Sequence, residues 1–288
     1  MKTKSFLMIA ALVMLSFYSC KKDSAVIEQA SIDMADDDAV AEAIYEDVFN
    51  TVDNATIILD GLNKSLDSKS EMILADSCPS VTITNPTSGV WPKKVTVDYG
   101  TACNGLNNNV RSGKILIEVT GPRLQIGSMR TTTFVDYYFN GIKVEGTKIL
   151  ENKGYNSSQN LVISVKLTGG KLTLPDGKTM ERSFEHQRVW IAGLNTKNIW
   201  DDECLVTGTA IGKNIDGISY KNTIMTALDW KRACVFIVSG VVKIEREGAQ
   251  PVELNYGTGE CDAKAVVTRN GVSKEILLKN KQRNMWKN

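Results

Sequence analysis

Two pairs of cysteines restrict this chain more than any other feature. Cys78 and Cys103 stand on either side of PSVTITN, PTSGVWP and KKVTVDYG, which read as strand, turn and strand. Cys234 and Cys261 flank VFIVSGVVKIE, the Glu247-Gly248 step and PVELNYG in the same way. Both times the midpoint between the cysteines falls in the turn. Residues equidistant from a hairpin's turn lie opposite one another, so each pair is placed to clasp the open end of a hairpin. The spacing predicts disulfides Cys78–Cys103 and Cys234–Cys261, with Cys204 left as a buried free thiol. Each closed loop restricts the unfolded chain by roughly 3.5 kcal/mol in the loop-entropy treatment. The returning strand carries Tyr-Gly-Thr both times, at Tyr99-Gly100-Thr101 and Tyr256-Gly257-Thr258. The glycine, free to take positive φ, turns the chain out of the strand before the cysteine. The tyrosine packs its ring on the sheet.

A further strand follows each clasp, in GKILIEVT after Cys103 and AKAVVT after Cys261. Hairpin, clasp and strand therefore recur, which predicts a partial internal duplication: one β unit at 75–185 and a related one at 186–288. The stretches between fit. Leu161, Ile163, Val165 and Leu167 alternate as one buried face. Thr133, Val135, Tyr137 and Phe139 read as another. Asn140-Gly141 and Asn270-Gly271 are strong hairpin-turn signals. The expected fold is mainly β, an antiparallel meander of hairpins with an N-terminal amphipathic helix. That helix is read at 35–64, within a helical segment at 35–74. Val40, Ala43, Ile44, Val48 and Phe49 follow the helical period, Asp36, Asp37 and Asp38 cap the start, and a break is expected near Asn54.

The amino terminus bears on the compartment. MKTKS is short and basic, and residues 6–18 form an apolar run too short to cross a membrane as a helix. The run ends at Ser19-Cys20, followed by KKDS. This resembles a bacterial lipoprotein signal, in which residues 1–19 are removed and Cys20 becomes the lipidated first residue of a tether at 20–34. Lys22-Asp23 resembles in part the signal that sends such proteins to the cell surface. Loss of Lys2 and Lys4 leaves basic and acidic residues almost balanced, so no general affinity for nucleic acid is expected. An exported chain also permits the two disulfides.

Compact catalytic motifs are missing. The chain holds one histidine, His186, which excludes a paired-histidine metal site and leaves Cys204 without an evident base. No catalytic residue, metal or cofactor is expected. Carboxylates are the remaining route to chemistry: Asp201, Asp202 and Glu203 cluster, and Asp136 and Glu145 lie near one hairpin. Two such acids across a cleft suffice for glycoside hydrolysis. A binding surface has its best candidates in Trp91, on a hairpin turn, and in Asn104, Asn107, Asn108 and Asn109, whose amides offer paired donors and acceptors.

Several segments together carry a resemblance to a family: FYSCKKD at the signal, WPKKVTVDYGTACNG at 91–105, RSGKILIEVTG, YFNGIKVEGT, VSGVVKIE and LNYGTGECD. The chain from 78 to 288 resembles uncharacterised lipid-anchored β-rich proteins of Bacteroidota. The resemblance implies secretion, a β fold and paired clasps, and brings no catalytic residue with it. The expectation is a non-catalytic binding or structural lipoprotein of the cell envelope. It would be held in the outer membrane by lipid on Cys20, facing the periplasm or the cell surface, and would contact an envelope glycan or protein. The alternative is a carboxylate-based hydrolase acting on an extracellular glycan.

Overall fold

The computed structural model describes residues 27–62, 71–73, 78–84, 87, 89–104, 109–196 and 198–278. Cys20 and its signal lie outside these residues, as do Asn107 and Asn108. Among the described residues one α-helix, α1 (Gln29–Leu62), precedes fifteen strands. They are β1 (Glu71–Ile73), β2 (Ser80–Thr84), β3 (Lys93–Asp98), β4 (Cys103–Asn104), β5 (Val110–Val119), β6 (Met129–Phe139), β7 (Ile142–Tyr155) and β8 (Leu161–Thr173). β9 (Thr179–Ala192), β10 (Glu203–Lys213), β11 (Ser219–Lys231), β12 (Ser239–Glu245), β13 (Val252–Thr258), β14 (Lys264–Arg269) and β15 (Val272–Leu277) complete the set. All belong to one antiparallel sheet that follows chain order, except that β3 pairs β5 directly and β4 joins β5 beside the path. The chain is mainly β, as its alternating runs require.

The sheet wraps the helix. Asp36, Asp37, Asp38 and Ala39 point in four successive directions around the axis, about 100° apart. None of the four is more than 5% exposed. A helix resting on a flat sheet would leave one side in water. Side chains reach α1 from strands far apart in the sheet: Arg111 of β5, Lys148 of β7, Arg182 and Arg188 of β9, Asn222 of β11 and Arg269 of β14. At ~1.5 Å per residue α1 is about 51 Å long, and at ~3.3 Å per residue the longest strands are comparable, so the sheet can line most of its length. Among the described residues no helix is long and apolar enough to cross a membrane.

Period-two alternation sets which side chains meet the helix. Leu161, Ile163, Val165 and Leu167 are all buried, as their spacing predicts. On β9 the inward set is Met180, Arg182, Phe184, His186, Arg188 and Trp190, and every member is buried. The opposite face is polar: Lys166 pairs with Glu185 and Lys213 with Glu181 across neighbouring strands. Both Asn-Gly turns have positive φ at each residue, 50° and 80° at Asn140-Gly141 and 51° and 74° at Asn270-Gly271, the geometry a tight hairpin demands.

The sequence reading needs correction in seven places. α1 starts at Gln29, so the last residues assigned to the tether are helical, and it runs unbroken past Asn54. Thr56, a β-branched residue, turns its hydroxyl to the Val52 and Asp53 carbonyls, and Leu59 beyond it is fully buried. Asp36, Asp37 and Asp38 therefore lie inside the helix and do not cap it. The helical segment also ends earlier than 74, since β1 already occupies Glu71–Ile73.

The single face read for Thr133, Val135, Tyr137 and Phe139 is broken by a bulge. Asp136 sits at φ 42° opposite Gly113 at φ 76°, so Thr133 and Val135 face out while Tyr137 and Phe139 face in. Val235 to Val238 form no strand. Phe236, Ile237 and Val238 are buried in succession, which a strand with one face in the core does not allow, and β12 begins at Ser239. The boundary drawn between 185 and 186 falls inside β9, which pairs with β8 on one side and β10 on the other.

Candidate functional site

Both expected disulfides are present, Cys78–Cys103 with Cα atoms 5.6 Å apart and Cys234–Cys261 with 5.3 Å. Gly100 and Gly257 take φ of 60° and 99°, as the turn before each second cysteine requires. Tyr99 and Tyr256 are buried, and the Tyr99 hydroxyl lies 3.2 Å from that of Thr51 on α1. Cys204 is a free, fully buried thiol, its pKa pushed well up by burial. It lies on β10 opposite Trp190, away from solvent.

The enclosed space between helix and sheet is charged. Asp38, Glu42 and Glu46 recur every fourth residue and form a stripe on α1. Arg182 meets Asp38 and Glu42, the latter at 2.6 Å, and Arg188 meets Glu46. Asn222 adds a donor to Asp38. Lower on the helix, Arg232 donates to Asp53 at 2.9 Å and to Asp202 at 2.8 Å, while Arg130 and Arg123 also approach Asp53. Lys148 donates a hydrogen bond to the Tyr45 carbonyl at 2.7 Å, and burial lowers its pKa to about 8. Aromatic rings fill the gaps: the Arg188 guanidinium lies 4.2 Å from the Phe49 ring centre, and Phe49 packs edge-on to Trp230.

His186 belongs to this interior. Its ring stacks on Phe184 at 4.3 Å, and its Nδ1 lies 4.0 Å from Glu42. Burial pushes its pKa to about 4, against the pull of Glu42, so it is neutral at pH 7. Glu42 moves the other way: burial lifts it, but Arg182, then His186 and Arg188, outweigh that and hold it at about 2. The sequence held a signal for these contacts, in the four-residue spacing of Asp38, Glu42 and Glu46 and in arginines at inward positions of β9.

A cleft opens beside α1 and is lined by several residues of this interior. It has a volume of about 200 Å³. Glu46, Asp47, Asn50 and Asn54 of α1 form its floor, Asn109, Arg111 and Phe139 one wall, and Trp200, Trp230, Arg232 and Cys234 to Val235 the other. The clasped ends of the two hairpins contribute to opposite sides. Arg111 grips Asp47 through both oxygens, with Nε at 3.0 Å, and its guanidinium sits 5.2 Å from the Phe139 ring centre. Arg232 reaches the Asn54 amide oxygen at 2.7 Å. Asn140 donates to Asn109 at 3.1 Å and fixes its amide. Trp200 stands on a short 3-10 turn, Ile199–Asp201, held by the Asn198 side chain, and is 50% exposed. Two buried oxygens of residues beside the cleft, Glu46 Oε2 and Asn50 Oδ1, have no hydrogen-bond partner among the described residues.

Of the five surface candidates, Asn109 alone is found in this cleft. Trp91 is half-buried against the core, with the Lys93 ammonium 5.2 Å from its ring centre. Asn104 is exposed on β4, and Asn107 and Asn108 lie outside the described residues. Of the carboxylates singled out in the sequence, Asp201, Asp202 and Glu203 turn to different partners. Asp202 is buried on Arg232, Glu203 faces Lys231 at 3.8 Å and Asp201 accepts from Thr196. Asp136 and Glu145 both face Lys143. Among the described residues no three metal-ligating side chains are grouped. No family model, curated protein or solved structure matches this chain.

Proposed function

We propose that the mature chain is a non-catalytic cell-envelope protein, anchored by lipid on Cys20, that binds a ligand or partner in the cleft beside α1. The observation that carries the binding reading is the open cleft of about 200 Å³, whose charged lining residues already have partners and in which Trp200 stays half-exposed. A concave surface with an exposed aromatic ring and paired charges offers contact area without a free reactive group. Asp201, Asp202 and Glu203 turn to separate partners, and Asp136 and Glu145 meet only as exposed acids on Lys143, away from the lining of the cleft, which supports binding over catalysis. The anchoring reading rests on the apolar run ending at Ser19-Cys20. Lipid on Cys20 followed by some residues of tether would hold the wrapped sheet at the membrane and leave the cleft accessible.

Fractionation tests the anchor. Cys20→Ser should lose metabolic lipid labelling and leave the membrane fraction; a mutant that still incorporates lipid would refute it. Assay of the purified protein on envelope polysaccharides tests the rest. Hydrolysis abolished by one Asp or Glu substitution would replace the binding reading with the carboxylate hydrolase.

A further inference from the structure

We infer that the turns around the start of α1 form the membrane-facing surface of the domain, and that the far end of the fold, with Trp200, points away from the bilayer. The inference rests on the lipid reading of Cys20 and adds which surface meets the lipid headgroups.

The chain enters the fold at one end of the wrapped sheet. Ile27 is buried, and Glu28 beside it is held by Arg269 at 2.6 Å and Arg246 at 3.6 Å. Arg246 directly follows β12 and Arg269 closes β14, so the entry lies beside the β12–β13 and β14–β15 turns. Two more turns stand at the same end. Met34 and Asp37 share a small enclosed space with Met180, Asn214 and Ile244. Met180 lies just past the β8–β9 turn, and Asn214 opens the β10–β11 turn. The opposite end holds the finish of α1. There Asp60 accepts the Arg123 N–H of the β5–β6 loop at 3.1 Å, and Asp53 meets Arg232 just beyond β11.

Tether length decides between the two ends. The seven residue steps from Cys20 to Ile27 span at most about 25 Å when fully extended. An inverted domain, standing with the finish of α1 on the bilayer, would hold Ile27 about 51 Å up, twice the reach of the tether. A tether running to residue 34, as the residues alone suggested, would have spanned about 50 Å and let either end meet the membrane. The helix starting at Gln29 removes that freedom.

A domain lying on its side is within the tether's reach but gains little. The outward face of β8 to β10 carries paired charges, Lys166 with Glu185 and Lys213 with Glu181, and headgroup contact adds no apolar burial to them. Standing on end, the domain meets the headgroups through short turns grouped around the chain entry. Two of them are closed by backbone bonds, Leu174 N–H to Lys178 at 2.8 Å and Asn214 N–H to Ile218 at 3.0 Å. Asp176, Lys178, Asp216 and Glu247 are exposed on these turns, so the contact is with headgroups and not with acyl chains. The floor of the cleft, Glu46 to Asn54, then lies about 26 to 38 Å along α1 from Gln29, clear of the lipid and open to soluble partners.

The test uses the lipidated full chain in vesicles of phosphatidylethanolamine and phosphatidylglycerol. Lys178→Cys and Asp216→Cys put a fluorescent donor on the turns. Ser157→Cys, between β7 and β8, and Gln125→Cys, between β5 and β6, put it at the far end. All four residues are exposed, and wild type, in which Cys204 is buried, gives the labelling blank. Energy transfer to headgroup-labelled lipid reads the height of each donor above the bilayer. The turn donors should lie lower than the far-end donors by more than about 25 Å, half the length of α1. A smaller difference, as for a domain on its side, or the reverse order overturns the inference. Asp176→Cys and Ser158→Cys replace any variant that loses the native circular dichroism. The anchor is read separately. Wild type that carries no lipid and stays free of the vesicles refutes the lipid reading and the orientation with it, whereas a lipidated, vesicle-bound chain with the wrong heights refutes the orientation alone.

Discussion

Replacing Arg182 with methionine tests whether the enclosed charges hold the helix in the sheet. The guanidinium sits between Asp38 and Glu42, with its side chain 5% exposed and those of the two acids 5% and 7%. Methionine keeps most of the volume beside Phe184 and removes the charge, leaving two carboxylates inside the fold with Asn222 and the more distant His186 as the nearest help. Stranding one buried charge by deleting its partner costs about 3–5 kcal/mol, and two acids share this arginine, so the loss should reach the upper end of that range. Against a total of ~5–15 kcal/mol for a domain, this is a large fraction. Urea unfolding followed by circular dichroism should show the midpoint falling while the slope holds. The triple variant Arg182→Met, Asp38→Asn, Glu42→Gln should recover at least half of the loss, since no charge is then left unpaired. In Arg182→Met the two acids lose their nearest counter-charge: Asp38, already raised by burial, rises further, and Glu42 loses the group that held it low. Protonating them then relieves the buried charge, and the variant should gain stability relative to wild type as pH falls from neutrality. A loss below ~1 kcal/mol, or a triple variant no better than the single, would refute the reasoning, because the interior would then be hydrated enough to solvate the acids itself.

Acid should destabilise the wild type in a defined window. His186 titrates at about 4 when folded and near 6.5 when unfolded, so its contribution is intact above pH 6.5 and is lost as pH falls towards 4, amounting to about 3 kcal/mol. Glu42, depressed to about 2, adds a further loss below its unfolded value of 4.5; His186→Gln should flatten the upper part of the curve alone. Cys103→Ser should lower stability by about 3.5 kcal/mol through the opened loop, checked by urea melts with the Cys78→Ser, Cys103→Ser pair as reference. The Cys204 thiol should resist a thiol reagent in the native state and react once the protein is unfolded in urea, because it is fully buried and its pKa is raised. Gly113→Ala should cost more than ~2 kcal/mol in the same melts, since a Cβ there meets the Asp136 carbonyl oxygen at 1.9 Å and the backbone has φ 76°.

The elements whose geometry is local were legible in the residues. Alternation along 161–167, the two Asn-Gly turns and the placing of the clasps each depend on a few neighbouring side chains, and each stands in the fold as read. The bulge at Asp136 was not, because it depends on Gly113 in the strand alongside. Nor was the full extent of α1. Thr56 and the residues around Asn54 are weak helix formers in isolation, and burial of Val52 and Leu59 inside the sheet overrides that preference.

The charges mark the same division. Asp36, Asp37 and Asp38 in succession look like a solvated helix start, because acids belong in water unless something neutralises them. What neutralises Asp38 is Arg182, some 144 positions on, brought alongside by the curl of the sheet. The cleft has the same origin: Glu46 and Asn50 come from the helix, Asn109 and Arg111 from the first clasped hairpin, Trp200 from the β9–β10 connection and Arg232 from the approach to the second clasp. The sequence by itself determined which segments become strands, where they turn and which cysteines face each other, since short-range sterics and periodicity decide those. Which face of the helix is buried, which acid meets which arginine and where an acceptor is left unmatched were decided only by closing the sheet around α1, because Coulomb and desolvation energies depend on distances between residues that the chain order keeps far apart.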